Sequence, residues 1–569
     1  MAVPQPIINI AEICAQHGIT EAVLSPGSRC APLTLAFARH PKINSRTISD
    51  ERSAAFIGMG IAQHHKTPTV LVCTSGSAAY NYAPAIAEAY FQQIPMLILT
   101  ADRPPEWIDQ LDGQTIRQQN IYGDHVKGSY SLPVDSNQHD GEWHLYRTVN
   151  EAINLSKSFP QGPVHINVPL REPFYPEPDE EILFEDNLPI FSEIESTPSL
   201  GKEQLNDLQG IWNTTDKTLI IGGQCAVEEQ QLTLIKQVLN PRNTPVIGDV
   251  ISNLHSIEEV IQHHDQFLND RNNVLLESLR PDLLITFGKS VIAKNLKLFL
   301  RLYKPKAHWH IQEAGQVADT YQSLTKIIRC PPQHFIEQVA LQQNNDAFAL
   351  QKQQNYFNLW EIEERKAIRH IEEKLPQENW CELNAYNLLM PQIPNGYHLH
   401  LANSMAVRYA NMIGLSSVQS DISVFANRGT SGIDGSNSTA LGSALASGKP
   451  TLLLTGDMAF LYDRNAFWHN YDYPNLKIVV FNNHGGGIFN MINGPSSQKE
   501  YKEYFETDQR LTAKPVAQEF GMEYMSCDTQ RKFQNTIKAF FEIEKKSAIL
   551  EIFTDSEVNK EALNEFKKI

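Results

Sequence analysis

Short, continuous apolar runs that each stop at a small or polar turn recur along the whole 569-residue chain. AVLSPGS (22–28), TVLVCTSGS (69–77), PMLILTADRP (95–104), TLIIGGQ (218–224), DLLITFGKS (282–290), TLLLTGD (451–457) and KIVVFNN (477–483) are of this kind, and helical patterns usually follow them. A strand that is apolar on both faces must be covered on both. It therefore belongs in a parallel sheet with helices above and below it. The expected fold is α/β, built of doubly wound parallel-sheet domains. Ligands of such sheets bind beyond the carboxyl ends of the strands, so the loops just after these runs are where chemistry is expected.

Two breaks divide the pattern. Residues 171–200 hold Pro173, Pro176, Pro178, Pro189 and Pro198 among many carboxylates, the composition of an exposed linker. Residues 341–375 are polar, rich in Gln and Asn, and helix-prone, which reads as a helical connector. Three α/β units are expected, over 1–185, 190–340 and 376–569, with 341–375 joining the last two.

Composition then narrows the partners. Against 65 Asp and Glu stand 48 Lys and Arg, a net charge of −17, which argues against a nucleic-acid or anionic-membrane binder. No apolar run approaches the roughly 20 residues that span a bilayer. The opening MAVPQPIINIAEICAQHG lacks a basic region followed by an apolar stretch, so no signal peptide is expected and a soluble, cytoplasmic protein is. The 7 cysteines are scattered without a CxxC and read as reduced thiols. Paired histidines such as His308/His310 and His398/His400 have neither a helix-spaced HExxH nor a third ligand nearby, so no zinc site is expected.

The third unit carries the most specific pattern. TLLLTGDMAFLYDRNAFWHNYDYPNLKIVVFNNHGGGIF reads as strand, Gly456-Asp457, helix, strand, then Asn482-Asn483. One crossover separates Asp457 from Asn483, so both strand ends lie side by side on one sheet edge. A carboxylate, an amide oxygen and the Gly485 carbonyl converge there as hard oxygen donors, suited to a Mg²⁺ that keeps phosphate and water in its other positions. The alternative is that Asp457 only caps the helix and the Asn pair only makes a turn. In the first unit, ISDERSAAFIGMGIAQ (48–63) places Glu51 at the start of a small-residue helix, where Asp50 or Glu51 could equally act as a cap. Gly58-Met59-Gly60 lies inside that helical pattern without a third glycine and is not a dinucleotide loop.

Residues 456–483 resemble the thiamine-diphosphate-binding motif, with Met458 where most of that superfamily has a third glycine. The resemblance implies that Gly456, Asp457, Met458, Ala459, Asn483 and Gly485 bind the cofactor. It also implies that Asp457, Asn483 and Gly485 hold its Mg²⁺ or Mn²⁺. Glu51 would be the catalytic glutamate that hydrogen-bonds N1′ of the aminopyrimidine and favours its imino tautomer. Longer strings narrow the branch: SPGSRCAPLTLAFARHP (25–41), TSGSAAYNYAPAIAEAYFQQIPMLILTADRPPEW (74–107), GQTIRQQ (113–119), GPVHINVPLREPF (162–174), LANSMAVRYA (401–410), ANRGTSGIDGSNSTALGSALASGKPTLLLTGD (426–457) and NNHGGGIFNMI (482–492). They resemble the 2-succinyl-5-enolpyruvyl-6-hydroxy-3-cyclohexene-1-carboxylate synthases of menaquinone biosynthesis. Both outer units are covered nearly throughout, and the middle unit thinly.

That family decarboxylates 2-oxoglutarate and adds the resulting enamine to isochorismate. The resemblance implies substrate contacts from Ser28, Arg29, Gln114, Arg117, Lys294, Ser404, Arg408 and Arg428, and a cofactor-bending role for Ile433. Where the family tends to place adjacent Lys-Arg, this chain has Lys294-Asn295, with Lys289 as a possible substitute. A homodimer or dimer of dimers is implied, with the cofactor bridging the first unit of one chain and the third unit of another. The residues support an anionic substrate class by themselves, because arginines such as Arg29, Arg103, Arg117, Arg408 and Arg428 fall on loops beside strands and their planar fork suits carboxylates. The alternatives are a thiamine-diphosphate enzyme for a smaller 2-oxoacid, acetohydroxyacid synthase-like, or a non-catalytic nucleotide-binding relative.

Overall fold

A computed structural model describes residues 3–177, 180–194, 196–226, 229–269, 272–341, 347–375, 379–490 and 494–567. Pro178 of the expected linker, residues 342–346 of the expected connector and Met491-Ile492 of the last family-like string lie outside the described residues. The first sheet holds β1 (Glu21–Leu24), β2 (Asn44–Thr47), β3 (Thr69–Cys73), β4 (Met96–Asp102), β5 (Ser129–Ser131) and β6 (Pro163–Pro169). The second holds β7 (Thr218–Gly222), β8 (Val246–Gly248), β9 (Leu283–Phe287), β10 (Ala307–Ile311) and β11 (Lys326–Ile328). The third holds β12 (His398–Leu401), β13 (Ser423–Ala426), β14 (Thr451–Gly456), β15 (Leu476–Asn482), β16 (Glu523–Cys527) and β17 (Ala548–Phe553).

All three sheets are parallel, as the apolar runs require. Every residue of β3, β4 and β7 is buried, as is every residue of β15, whereas the edge strands β2 and β16 are mostly exposed or half-buried. The strand orders are β2-β1-β3-β4-β6-β5, β11-β10-β9-β7-β8 and β13-β12-β14-β15-β17-β16. The first and third sheets thus share one topology, and in each the winding reverses between two adjacent central strands: β1 and β3, or β12 and β14. A crevice opens beyond the carboxyl ends of such a pair.

Two segments between the sheets differ in character. Among the described residues, 171–200 contain no helix or strand, but this stretch is not a free linker. Ile182, Phe184, Leu188 and Ile190 pack on the first domain's core, and Gln5 Nε2 and Asn150 Nδ2 donate to the carbonyls of Leu183 and Pro189 at 2.8 and 3.1 Å. The segment's spaced apolar residues make it a strap. The helix Ala347–Lys374 buries Tyr356, Trp360, Ala367 and Ile371, residues spaced to share one face. Its Trp360 ring meets Phe267 and Phe299 of the middle domain.

The outer domains join through two small-residue helices, Glu51–His65 and Ser436–Ser447. A Cβ on Gly60 would meet the Thr439 carbonyl oxygen at 2.2 Å, and one on Gly442 the Ile57 carbonyl oxygen at 2.2 Å. Only glycine permits this approach, because the obstructing atoms are backbone. Gly442→Ala should therefore force the helices apart and destabilise the chain by about 1–3 kcal/mol. Urea denaturation checks this; an unchanged midpoint would mean that the two helices are not packed this closely.

Candidate active site

The crevice between β12 and β14 receives the loop 402–404 and the start of the helix Met405–Ile413 from one strand and Gly456-Asp457 from the other. Gly456 pairs with Phe481 in register, so Asp457 and Asn482-Asn483 leave the sheet together. A cavity of about 500 Å³ lies there, lined by Ser404, Arg408, Arg428, Ile433, Gly456, Asp457, Met458, Ala459, Asn483 and Gly485 among others. Sequence reasoning had singled out every one of these ten.

One wall of the cavity is anionic. Asp457 is buried, its Oδ1 accepting from Met458 N at 2.8 Å and its Oδ2 from Gln509 Nε2 at 2.6 Å. Asn483 Oδ1 accepts from Gly485 N at 3.1 Å, while its Nδ2 donates to Glu382 Oε1 at 2.7 Å. Burial pushes the Asp457 carboxyl up to about 6. Burial, followed by the Asp457 charge, pushes Glu382 up to about 8. Among the described residues neither carboxylate has a Lys or Arg ion pair. Two buried carboxylates beside an amide oxygen and a free-facing backbone loop form a hard-oxygen set that a divalent cation would neutralise, so the donors fit such an ion.

The other wall is cationic. Arg408 donates to the Ser404 carbonyl, and Arg428 Nη1 donates to Asn403 Oδ1 at 2.8 Å. Burial, then the charge of Arg428, lowers the Arg408 pKa. Arg428 Nε is buried without a hydrogen-bond partner. Two close guanidiniums, one with an unsatisfied donor, are suited to a carboxylate. Backbone strain gathers around the cavity: Ser404, Ser431 and His484 have φ of 68°, 63° and 62°, values that a non-glycine residue holds only when its surroundings dictate them.

The first domain's residues form a separate cluster. Asp50 caps the helix Glu51–His65 by accepting from Ser53 N at 3.2 Å, which frees Glu51 from that task. Glu51 Oε2 accepts from Asn81 Nδ2 at 3.4 Å; burial raises the pKa of Cys30 and Cys73, and the nearby Glu51 charge adds to both shifts. Glu51 thus sits by the carboxyl ends of β1 and β3, in the crevice equivalent to the one holding Asp457. It does not line the cavity that holds Asp457. The next residue, Arg52, donates to the carbonyl of Tyr462 at 2.8 Å, at the far end of the helix that Asp457 begins. Ser28 Oγ lies 3.2 Å from Tyr175 Oη, and the Gln114 backbone lies against Gly76 just beyond β3. Arg29 is buried, donating to the Leu170 carbonyl at 2.8 Å and stacking over Phe174.

Two expected substrate contacts stand apart. Arg117 has 81% of its side chain exposed and pairs with Asp109 at 3.0 Å. Lys294 is exposed at the start of the helix Lys294–Leu302, while Asn295 is bonded to Asp265 through its N–H and its amide. One turn on, Lys297 lines a second cavity, of about 380 Å³, together with Lys289 and Arg428. The middle domain's cations near the arginine loop are therefore Lys289 and Lys297 rather than Lys294. Sequence reasoning missed Lys297, and also Glu382 and Gln509. Nothing in ENWCELNAYNLL or in TDQRLTAK distinguishes the last two from surface polar residues.

Residues 9–125 match the family described as thiamine pyrophosphate enzyme, N-terminal TPP binding domain. Residues 196–399 match the middle domain of thiamine pyrophosphate enzymes, and 410–552 the C-terminal TPP binding domain. The chain is 45% identical to 2-succinyl-5-enolpyruvyl-6-hydroxy-3-cyclohexene-1-carboxylate synthase of Cytophaga hutchinsonii over 99% of this chain and 98% of that one. It is 39% identical to the protein of the same name from Flavobacterium psychrophilum, with the same coverage. The like-named protein of Bacteroides thetaiotaomicron is 35% identical over 98% of this chain and 96% of its own length.

With the Asp457 carboxyl raised to about 6, the cation-free site holds a proton below that pH. A bound cation must displace it. Apparent Mg²⁺ affinity should rise by up to about tenfold per unit as pH climbs toward 6, where Asp457 gives up its proton, and should go on rising toward 8, where Glu382 does. Mg²⁺ titration in the presence of thiamine diphosphate across pH 5–7.5 measures this, and Asp457→Asn should flatten the profile and weaken binding. A profile that is flat in the unmodified chain would take Asp457 out of the metal site.

Proposed function

The chain belongs to the 2-succinyl-5-enolpyruvyl-6-hydroxy-3-cyclohexene-1-carboxylate synthases, a branch of the thiamine-pyrophosphate enzymes, and on that premise we propose that it decarboxylates 2-oxoglutarate and joins the remaining carbons to isochorismate in menaquinone biosynthesis. The observation that carries this substrate class is the polarity of one cavity, with paired carboxylates on one wall and Arg408 and Arg428 on the other. A pocket for pyruvate alone would have no use for two half-buried guanidiniums.

Asp457, Asn483 and the Gly485 carbonyl would hold Mg²⁺ or Mn²⁺, and Gly456, Met458 and Ala459 would face the diphosphate. Ile433 would supply the apolar surface between the two walls. Thiamine diphosphate, when bound, supplies the nucleophilic carbon and the electron sink for decarboxylation. Glu51 would hold the proton shared with the aminopyrimidine N1′. Arg408 and Arg428 would orient substrate carboxylates, with Ser404 beside them. Ser28, Arg29 and Gln114 would serve the second substrate from the first domain's crevice.

Within one chain Glu51 and Asp457 face different crevices. We therefore read the working unit as a homodimer, or a dimer of dimers, in which the first domain of one copy completes the cavity of the other. The expected location is the cytoplasm. No described helix is long and apolar enough to cross a membrane.

The direct test is CO₂ release from 2-oxoglutarate with thiamine diphosphate and Mg²⁺, with and without isochorismate. Release from pyruvate instead would indicate a smaller-oxoacid enzyme, and no turnover a non-catalytic relative. Arg408→Ala should weaken substrate use by about 2–5 kcal/mol while thiamine-diphosphate affinity, followed by calorimetry, stays near that of the unmodified chain. Loss of both together would move this arginine to the diphosphate. Glu51→Gln should lower turnover by ~10²–10⁴. Co-folded with Asp457→Ala chains, it should regain up to about a quarter of normal activity, since half of randomly paired dimers carry one unmutated site. Verified heterodimers with no recovery would place the whole site within one chain.

A further inference from the structure

The loop that carries Arg428 leaves β13 at a point where all three domains meet. Gln92 Nε2 of the first domain and Gln224 Nε2 of the second both donate to the Ala426 carbonyl, at 3.1 and 2.8 Å. Asn253 of the second domain pairs with the Val424 backbone through both its amide atoms. The most concentrated contact comes from Glu88, on the helix Ala83–Gln92 of the first domain. Glu88 is 1% exposed. Its Oε1 accepts from Gly429 N and Gln92 Nε2, each at 2.7 Å, and its Oε2 accepts from Thr430 N and Thr430 Oγ1, each at 2.6 Å. A Cβ on Gly429 would lie 2.6 Å from the Glu88 carbonyl oxygen, so only glycine lets the loop come this close.

A buried carboxylate that accepts from the N–H groups of two successive peptides, Arg428–Gly429 and Gly429–Thr430, fixes both planes, and with them the direction in which the preceding side chain leaves the loop. That side chain is Arg428. We propose that Glu88 is a positioning residue for the substrate arginine: it touches no substrate, but through Gly429 and Thr430 it aims Arg428 into the cavity. Its negative charge also stands near the guanidinium and opposes the effect of burial on it. The first domain would thus act on its own chain's cavity, separately from the crevice that it offers to a second copy. The inference rests on the proposed function, since it takes Arg428 to bind a substrate carboxylate.

Glu88→Gln keeps the shape but turns one acceptor oxygen into an amide that faces an N–H donor. The expected result is a KM increase of about 10- to 100-fold for the substrate bound by Arg428, the scale on which a small misplacement acts. The thiamine-diphosphate dissociation constant should stay within about twofold, because the diphosphate wall is untouched. Thr430→Val removes a single hydrogen bond and should give a smaller KM increase in the same direction, which guards against a folding failure in Glu88→Gln. The deciding measurement is the double variant: on an Arg428→Ala background, Glu88→Gln should change KM by less than about twofold, because the residue through which it acts is gone. A full additional loss in the double variant, or a parallel loss of thiamine-diphosphate affinity, would make Glu88 a general staple and overturn the inference alone. An unmodified chain that turns over neither substrate would overturn the proposed function and this inference with it.

Discussion

The outer domains are held at a distance set by backbone alone. Where the helix Glu51–His65 crosses Ser436–Ser447, Gly60 and Gly442 each face a carbonyl of the opposite helix with no room for a methyl group. Phe56 lies under Gly435. Close backbone packing of this kind has little freedom to slide, because interiors packed near crystal density transmit a shift rather than absorb it. This contact sets how closely the two outer domains approach. Glu51 begins one of the two helices, and the loop of Arg428 and Ile433 leads into the other.

The cavity beside β12 and β14 separates unlike charges. Asp457 and Glu382 lie on one wall and Arg408 and Arg428 on the other, and among the described residues none of the four has an ion-pair partner. Had the two pairs met, they would have neutralised each other and left nothing for a ligand. Instead each wall holds charge that burial penalises, visible as carboxyls raised and guanidiniums lowered. Such a cavity is poised for a ligand that is cationic at one end, through a metal, and anionic at the other. The strained backbones of Ser404, Ser431 and His484 hold the loops in that arrangement.

Much of this was legible in the sequence because parallel sheets write themselves as unbroken apolar runs. TLLLTGD and KIVVFNN predicted both the adjacency of β14 and β15 and the meeting of Asp457 with Asn483, since register and crossover length fix those positions once the strands are parallel. The arginine in NRGTSG was legible as a loop residue after a strand, whereas the one in NSMAVR, expected on a loop, lies in the first turn of the helix Met405–Ile413. What stayed hidden arises from tertiary contact between distant segments. Glu382 precedes β12 with no pattern of its own, and its importance comes from the side chain of Asn483, which folding brings to it. Lys297 could not be preferred to Lys294 without knowing which face of its helix turns toward the arginine loop. The strap over 180–190 looked like linker because its prolines and carboxylates outweigh four spaced apolar residues.

The shared topology of the outer sheets explains why one chain carries two crevices of the same kind. Each sheet reverses its winding between equivalent strands, so each produces a crevice of the same construction. The two have been furnished differently: hard oxygen donors and arginines beyond β12 and β14, a glutamate and hydroxyl-rich loops beyond β1 and β3. Within a chain the two-helix contact joins the domains that carry these crevices, Arg52 bonds to the Tyr462 carbonyl between them, and Glu51 does not line the cavity of Asp457. A ligand long enough to need a metal at one end and a carboxylate partner at the other cannot be served by either alone. In the homodimer we propose, a two-fold axis would bring each crevice of one chain against its counterpart from the other and would make two equivalent clefts through one self-complementary interface.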